Sequence, residues 1–235
     1  MVNHNHLKIT NTFMYSMKVF VIHYKKLTER KQAILQQFQK HKITDFEFIE
    51  IDRDELQSQD LSLFEHDYSK QQMAITLSHM YAYKQIAAKY DRALILEDDA
   101  ILSDNFTESL HLYCSQLPST YDMLFIGDGC GFHIPTADLL PKKHVYEKGL
   151  YPTSWGGNGA TRCTDSYVVS KQGAVKLCVY MRKLQYKIHL PIDWWLNTAA
   201  RDTHLNVYWA EPTIVTQGTE TGVYSVSHTP VVVTL

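Results

Sequence analysis

The chain has 235 residues, of which 45% are hydrophobic and 20% charged, and its formal net charge is -2 with 12 histidines held neutral. That is enough chain for one sizeable α/β domain, and the composition is that of an ordinary globular protein. The near-neutral balance carries no electrostatic footprint for nucleic acid.

No run reaches the ~18–20 apolar residues that a transmembrane helix needs. Cys114, Cys130, Cys163 and Cys178 are scattered, with no Cys-x-x-Cys pair and so no support for zinc. Scattered thiols suit a cytoplasmic protein, with disulfides as the alternative. Residues 1–16 are polar and rich in His and Asn, and read as a leader or disordered tail. The remainder, 17–235, reads as a single domain.

Residues 18–23 form a short β-branched strand, and 27–42 a helix with Thr28 as N-cap candidate and Ile34, Leu35 and Phe38 on its apolar face. A second strand at 46–51 ends on Asp52-Arg53-Asp54, and this order predicts a parallel βαβ unit. Residues 54–70 read as a polar, acidic loop with one irregular turn. From 72 to 90, Ile75, His79, Tyr83, Ile86 and Tyr90 make one helical stripe. A histidine in such a stripe is by default a hydrogen-bonded core residue.

The chain is organised around Ala93-Leu94-Ile95-Leu96-Glu97-Asp98-Asp99. An unpunctuated apolar run predicts a strand buried on both faces, and its carboxyl end is where open α/β sheets bind ligands. Three adjacent carboxylates repel one another there. A hard divalent cation, Mg²⁺ or Mn²⁺, relieves that conflict and can bridge to a diphosphate. The alternative is a solvated acidic turn.

A helix at 104–117 and a strand at 122–127 follow, the latter closed by Gly127-Asp128-Gly129-Cys130-Gly131. That turn lacks the Lys-Ser/Thr of a phosphate-binding loop. Residues 132–158 are rich in Pro and Gly, and Trp155 among glycines offers an aromatic platform for a sugar, or a hydrophobic plug. A strand at 167–170 and a helix at 171–184 come next. Pro191-Ile192-Asp193-Trp194-Trp195 then places a carboxylate at a helix start beside two tryptophans. A last strand spans 207–210, and the Ser/Thr-rich tail contains His228.

Five elements in this order resemble glycosyltransferase family 25, which includes bacterial lipooligosaccharide galactosyltransferases. They are Phe20-Val21-Ile22-His23 with Arg30, Thr76-Leu77-Ser78-His79, Leu94-Ile95-Leu96-Glu97-Asp98-Asp99-Ala100, Ser166-Tyr167-Val168-Val169-Ser170-x-x-Gly173-Ala174, and Pro191-Ile192-Asp193. The resemblance covers roughly residues 17–217. His23-Tyr24 stands where members often carry Asn-Leu, and 127–160 has no clear match.

The resemblance implies a glycosyltransferase-A-like α/β fold with a mostly parallel sheet flanked by helices. Residues 17–130 would form a Rossmann-like nucleotide-sugar half and 131–235 an acceptor half. It implies an inverting, metal-dependent transfer of a hexose, galactose foremost, from a UDP-sugar to a lipooligosaccharide or other glycolipid acceptor. Asp99 would ligate Mn²⁺ or Mg²⁺, helped by Glu97 and Asp98 and, late in the chain, by His228. Arg30 would contact the diphosphate, Asp52 the uridine or ribose, and His79 would support the donor site. Asp193 would be the catalytic base, with Asp128 and Glu211 in reserve, and Trp194 and Trp195 would hold the acceptor sugar. Such an enzyme would work in the cytoplasm, with peripheral contact at the inner membrane. The competing readings are a metal-dependent phosphohydrolase using the same carboxylates and a non-catalytic carbohydrate-binding module.

Overall fold

The computed structural model describes residues 17–157 and 159–225. Its strands are β1 (Lys18–Ile22), β2 (Phe46–Ile49), β3 (Arg92–Glu97), β4 (Ala100–Leu102), β5 (Met123–Phe125), β6 (Val145–Glu147), β7 (Ser166–Ser170), β8 (Val207–Ala210) and β9 (Val215–Gln217). Its helices are α1 (Thr28–His41), α2 (Ser58–Leu61), α3 (Lys70–Lys89), α4 (Phe106–Gln116), α5 (Lys171–Lys183) and α6 (Ile192–Asp202).

Seven strands form one sheet in the order β2-β1-β3-β7-β5-β8-β6, and β4 pairs with β9 in a small second sheet. Alternation along the central strands divides the core in two. Phe20, Ile22, Ala93 and Ile95 point to one side, where residues of α3, α5 and α6 cover them. Val19, Val21, Leu94 and Leu96 point to the other, under α1 and α4. The result is a helix–sheet–helix sandwich, the α/β architecture expected.

The sheet is mixed and not mostly parallel. β1–β2, β1–β3 and β5–β8 are parallel, whereas β3–β7, β5–β7 and β6–β8 are antiparallel. After β5 the chain makes a long excursion, residues 126–165, and re-enters as β7 running the opposite way between β3 and β5. The ends of that excursion lie side by side, with the Ile126 amide donating to the Ser166 carbonyl over 3.3 Å. A hydrophobic run alone does not encode this reversal, because its burial pattern is the same in either direction.

Local boundaries follow capping chemistry. Helix α3 starts at Lys70, because Ser69 accepts from the Gln72 amide and the Gln72 side chain returns to the Ser69 amide, a capping box. Thr28 is the first helical residue of α1 and not its cap; Leu27 holds that position without a side-chain bond. Within the expected 54–70 loop, α2 forms one short turn of helix.

Candidate active site

The carboxyl ends of β1 and β3, the entry to β7 and the first turn of α6 enclose a cavity of about 340 Å³. Arg30, Arg53, Glu97, Asp98, Asp99, Thr164 and Asp193 line it. Strands β1 and β3 are neighbours in parallel register, with Ile22 opposite Glu97, so His23 and Asp98 leave the sheet side by side.

Asp98 is a fixed structural carboxylate. Its Oδ1 accepts from Arg30 Nη1 at 2.9 Å, its Oδ2 lies 2.8 Å from His23 Nδ1, and the Tyr24 amide donates to Oδ2 at 3.3 Å. Arg30 is therefore committed: its other terminal nitrogen donates to the Ser225 carbonyl at 2.9 Å, and its guanidinium lies over the Tyr224 ring. It orders Asp98 and the last described residues around the cavity.

Asp52 does not line this cavity. Lys25 holds its carboxylate at 2.9 Å, and that hydrogen bond, then the Asp54 amide, keeps it below the usual carboxylate range. The cationic wall on this side is Arg53, which stacks 4.1 Å from the Tyr24 ring centroid and donates to Gln71 at 2.6 Å. Sequence reasoning passed over it, although it sits between the two aspartates that drew notice.

Glu97 and Asp193 are joined through one hydroxyl. Thr164 Oγ1 lies 3.0 Å from Glu97 Oε1 and 2.9 Å from Asp193 Oδ1. A threonine has a single hydroxyl proton, so both contacts are hydrogen bonds only when one carboxyl group donates. Asp193 suits that role, because burial and then the Glu97 charge raise its pKa above the ordinary carboxylate value. Behind Glu97 stands His79, fully buried, with Nε2 at 3.3 Å from Glu97 Oε1 and Nδ1 at 2.7 Å from the Tyr167 hydroxyl. The Tyr83 hydroxyl is 2.7 Å from that of Tyr167. Donation from Tyr83 to Tyr167 to His79 Nδ1, with His79 Nε2–H on Glu97, gives each of these groups a partner. His79 thus contacts the site from behind and does not face the cavity.

Asp99 has one oxygen without a protein partner among the described residues. Its Oδ2 accepts from the Thr219 hydroxyl, while its Oδ1 is buried and has no hydrogen-bond partner among the described residues. Asp128 and Asp165 each bury an unpartnered Oδ1 too. Burial, and after it the charges of Glu97, Asp128 and Asp99, push Asp165 well above the ordinary carboxylate range. Such crowding fits a nearby cation. The described residues contain no cluster of three or more His, Cys, Asp or Glu placed to cage a metal. The residues therefore fit an ion that takes Asp99 from the protein and its other ligands from phosphate and water, as Mg²⁺ commonly does. The Oε1 of Glu97 is already engaged, and His228 lies outside the described residues.

The aromatic residues separate. Trp195 is fully buried, tilted against Tyr180 with centroids 5.6 Å apart, so it belongs to the core and not to an acceptor platform. Trp155 packs edge-on against Trp209 at 5.4 Å, the plug and not the platform. Trp194 is 55% exposed. It lines a second cavity of about 210 Å³ with Tyr151, Asn197 and Arg201. Residues 190–194 divide the two cavities: Leu190 and Trp194 face the second, and Pro191, Ile192 and Asp193 the first. Glu211 is unavailable as a base, being tied to Arg162 at 2.6 Å and His133 at 3.0 Å.

The cavity at these strand ends thus combines carboxylates, an arginine and a carboxyl group whose pKa burial raises. The chain belongs to glycosyltransferase family 25, whose model, described as an LPS biosynthesis protein, matches residues 16–196. Among curated proteins it is similar to one from Acanthamoeba polyphaga mimivirus assigned as a glycosyltransferase, with 32% identity over 143 residues, 57% of this chain. The match spans only 43% of that relative's length. Two solved structures are distantly similar. One is a glycosyltransferase involved in glycosylation of the major capsid of PBCV-1, with 10% identity, TM-score 0.41, and 84% of this chain and 94% of that chain covered. The other is S. aureus TarS, with 10% identity, TM-score 0.43, and 86% of this chain and 60% of that chain covered. No helix among the described residues is long and apolar enough to cross a membrane.

Proposed function

We propose that this glycosyltransferase moves a hexose, galactose foremost, from a UDP-sugar to a hydroxyl of a glycolipid oligosaccharide, with inversion at the sugar carbon. The observation that carries the reading is the placement of Asp193. It shares one cavity with the Asp98–Asp99 strand end, and the next residue along α6, Trp194, lines the other cavity, so the first turn of this helix would stand between a donor and an acceptor. In its deprotonated form Asp193 takes the proton of the acceptor hydroxyl as that oxygen attacks the anomeric carbon and the nucleotide departs. Burial beside Glu97 makes it a stronger base than an exposed aspartate.

Arg53, at the far wall, is the cation available to a diphosphate, and Arg30 acts by holding Asp98 in place. Mn²⁺ or Mg²⁺ bound at Asp99 would supply Lewis-acid stabilisation to the leaving diphosphate. Trp194, with Tyr151, offers an aromatic face to the acceptor sugar. With a lipid-linked acceptor, the enzyme would work at the cytoplasmic face of a membrane.

The test is release of UDP from a panel of UDP-sugars, with Mn²⁺ and then with EDTA, in the presence and absence of galactose- or glucose-terminated acceptors. Metal-dependent release from one donor, stimulated by acceptor, is the expected result. Absence of binding and turnover with every nucleotide sugar would remove the proposal.

A further inference from the structure

Two cysteines stand together beside the site without any part in the transfer chemistry. Cys130 lies in the short turn after β5 and Cys163 in the segment leading to β7, 33 positions later, and their Sγ atoms are 2.8 Å apart. Both are non-glycine residues in the left-handed region, each with φ of 56°, a conformation uncommon for residues with a side chain. The backbone between them is in close contact as well. A β-carbon at Gly129 would meet the Cys163 β-carbon at 2.6 Å and the Arg162 carbonyl at 2.7 Å, so only glycine lets the turn approach this closely. Two independent features, the thiol contact and the glycine-enabled approach, bring the same two segments together.

These segments hold the site. Cys163 immediately precedes Thr164, whose hydroxyl joins Glu97 to Asp193, and Asp165, which lies in the carboxylate cluster. The Cys130 amide donates to Glu220 at 3.3 Å, next to the Thr219 that holds Asp99. A covalent link between the sulfurs would tie the turn after β5 to the loop that carries Thr164.

We propose that Cys130 and Cys163 are a reversible disulfide-forming pair, a redox modification site that clamps this loop. The exposed Cys130 is the entry sulfur. Its thiolate attacks a low-molecular-weight disulfide such as glutathione disulfide, forming a mixed disulfide and releasing one glutathione thiolate. Cys163, as thiolate, then attacks the Cys130 sulfur and releases the second glutathione, so the protein is oxidised by two electrons and the reagent reduced by two. Burial and the contact with Cys130 push the Cys163 thiol up, which makes it the slower sulfur toward outside reagents. Cys114 is buried, its thiol pushed up to about 12, and serves with Cys178 as an internal control. This inference does not depend on the identity of the donor or acceptor.

The experiment is treatment of the full chain with glutathione disulfide, followed by intact mass, thiol counting and peptide mapping. The wild type is expected to lose two thiols, to retain no glutathione, and to yield a Cys130–Cys163 cross-linked peptide that dithiothreitol reverses. In Cys163→Ser the glutathione stays on Cys130, and in Cys130→Ser no cross-link forms. Hydrogen exchange is expected to slow at 127–131 and 161–165 in the oxidised protein relative to the reduced one. A wild type that keeps glutathione on Cys130, cross-links elsewhere, or fails to react would overturn the pair. A formed disulfide with unchanged exchange in both segments would overturn the clamp.

Discussion

The Thr164 hydroxyl has one proton and two carboxyl neighbours, and this sets how the site should respond to pH. As the proposed base, Asp193 must be deprotonated to act, so transfer is expected to fall as pH drops through its raised pKa. In Glu97→Gln the charge that raises that pKa is gone, and the acid limb of the kcat/KM profile moves to lower pH. Asp193→Asn keeps the shape but removes the proposed base. It should cut turnover by about 10²–10⁴-fold with little change in donor affinity, checked by single-turnover rates beside a binding titration. Asp193 was legible in the sequence because a proline and a helix start placed it. The fates of the two tryptophans were not, because consecutive helical residues point ~100° apart and sequence does not say which way. Trp194→Ala should raise the acceptor KM with the melting temperature unchanged. Trp195→Ala should cost about 3–5 kcal/mol of stability as a core cavity, read by denaturant unfolding.

At the level of elements, the strand-to-acid motif read well because its apolar run and its carboxylates both announce themselves. The Ser170-x-x-Gly173-Ala174 motif has an equally plain physical cause. Ser170 caps α5 by accepting from the Gly173 amide at 3.1 Å, and a β-carbon on Gly173 would meet the Asp122 carbonyl at 2.6 Å. Helix α5 thus rests directly on the backbone entering β5. Gly173→Ala should destabilise the fold by about 1–3 kcal/mol through overpacking, measurable by chemical denaturation. Three short strands escaped the sequence: β4, β6 and β9 have three residues each. That is too few for alternation to show, and β6 sits among prolines and glycines. Arg53 and Thr164 escaped for another reason: a lone polar residue in a loop gains meaning only from what the fold brings against it.

For the molecule as a whole, the α/β class followed from the order of strands and helices, and the mixed topology did not, since direction of travel leaves no mark on a buried strand. If the cavity holds a nucleotide diphosphate with a metal, UDP and Mn²⁺ together should stabilise the folded state by about 2.7 kcal/mol at a ligand concentration near 100 times Kd. Thermal denaturation reads this gain. EDTA or Asp99→Ala should abolish it, and a gain that survives both would argue against Asp99 as the metal ligand.

The excursion between β5 and β7 begins and ends at neighbouring strands and contributes the edge strand β6 to the sheet, so the central strands pair across it. The loops on either side of β6 are expected to tolerate changes in length and composition while the central strands keep their register, which makes them a natural cassette for grafting between relatives. Any graft must carry along Thr164 and buried Arg162, which donates to the Ala210 carbonyl at 2.8 Å and to Glu211 at 2.6 Å. A chimaera that kept β6, the turn at 127–131 and residues 162–165 but exchanged the loops between them would be expected to hold its donor affinity and shift its acceptor preference through Tyr151 and its neighbours, a route by which one scaffold could decorate many different glycans.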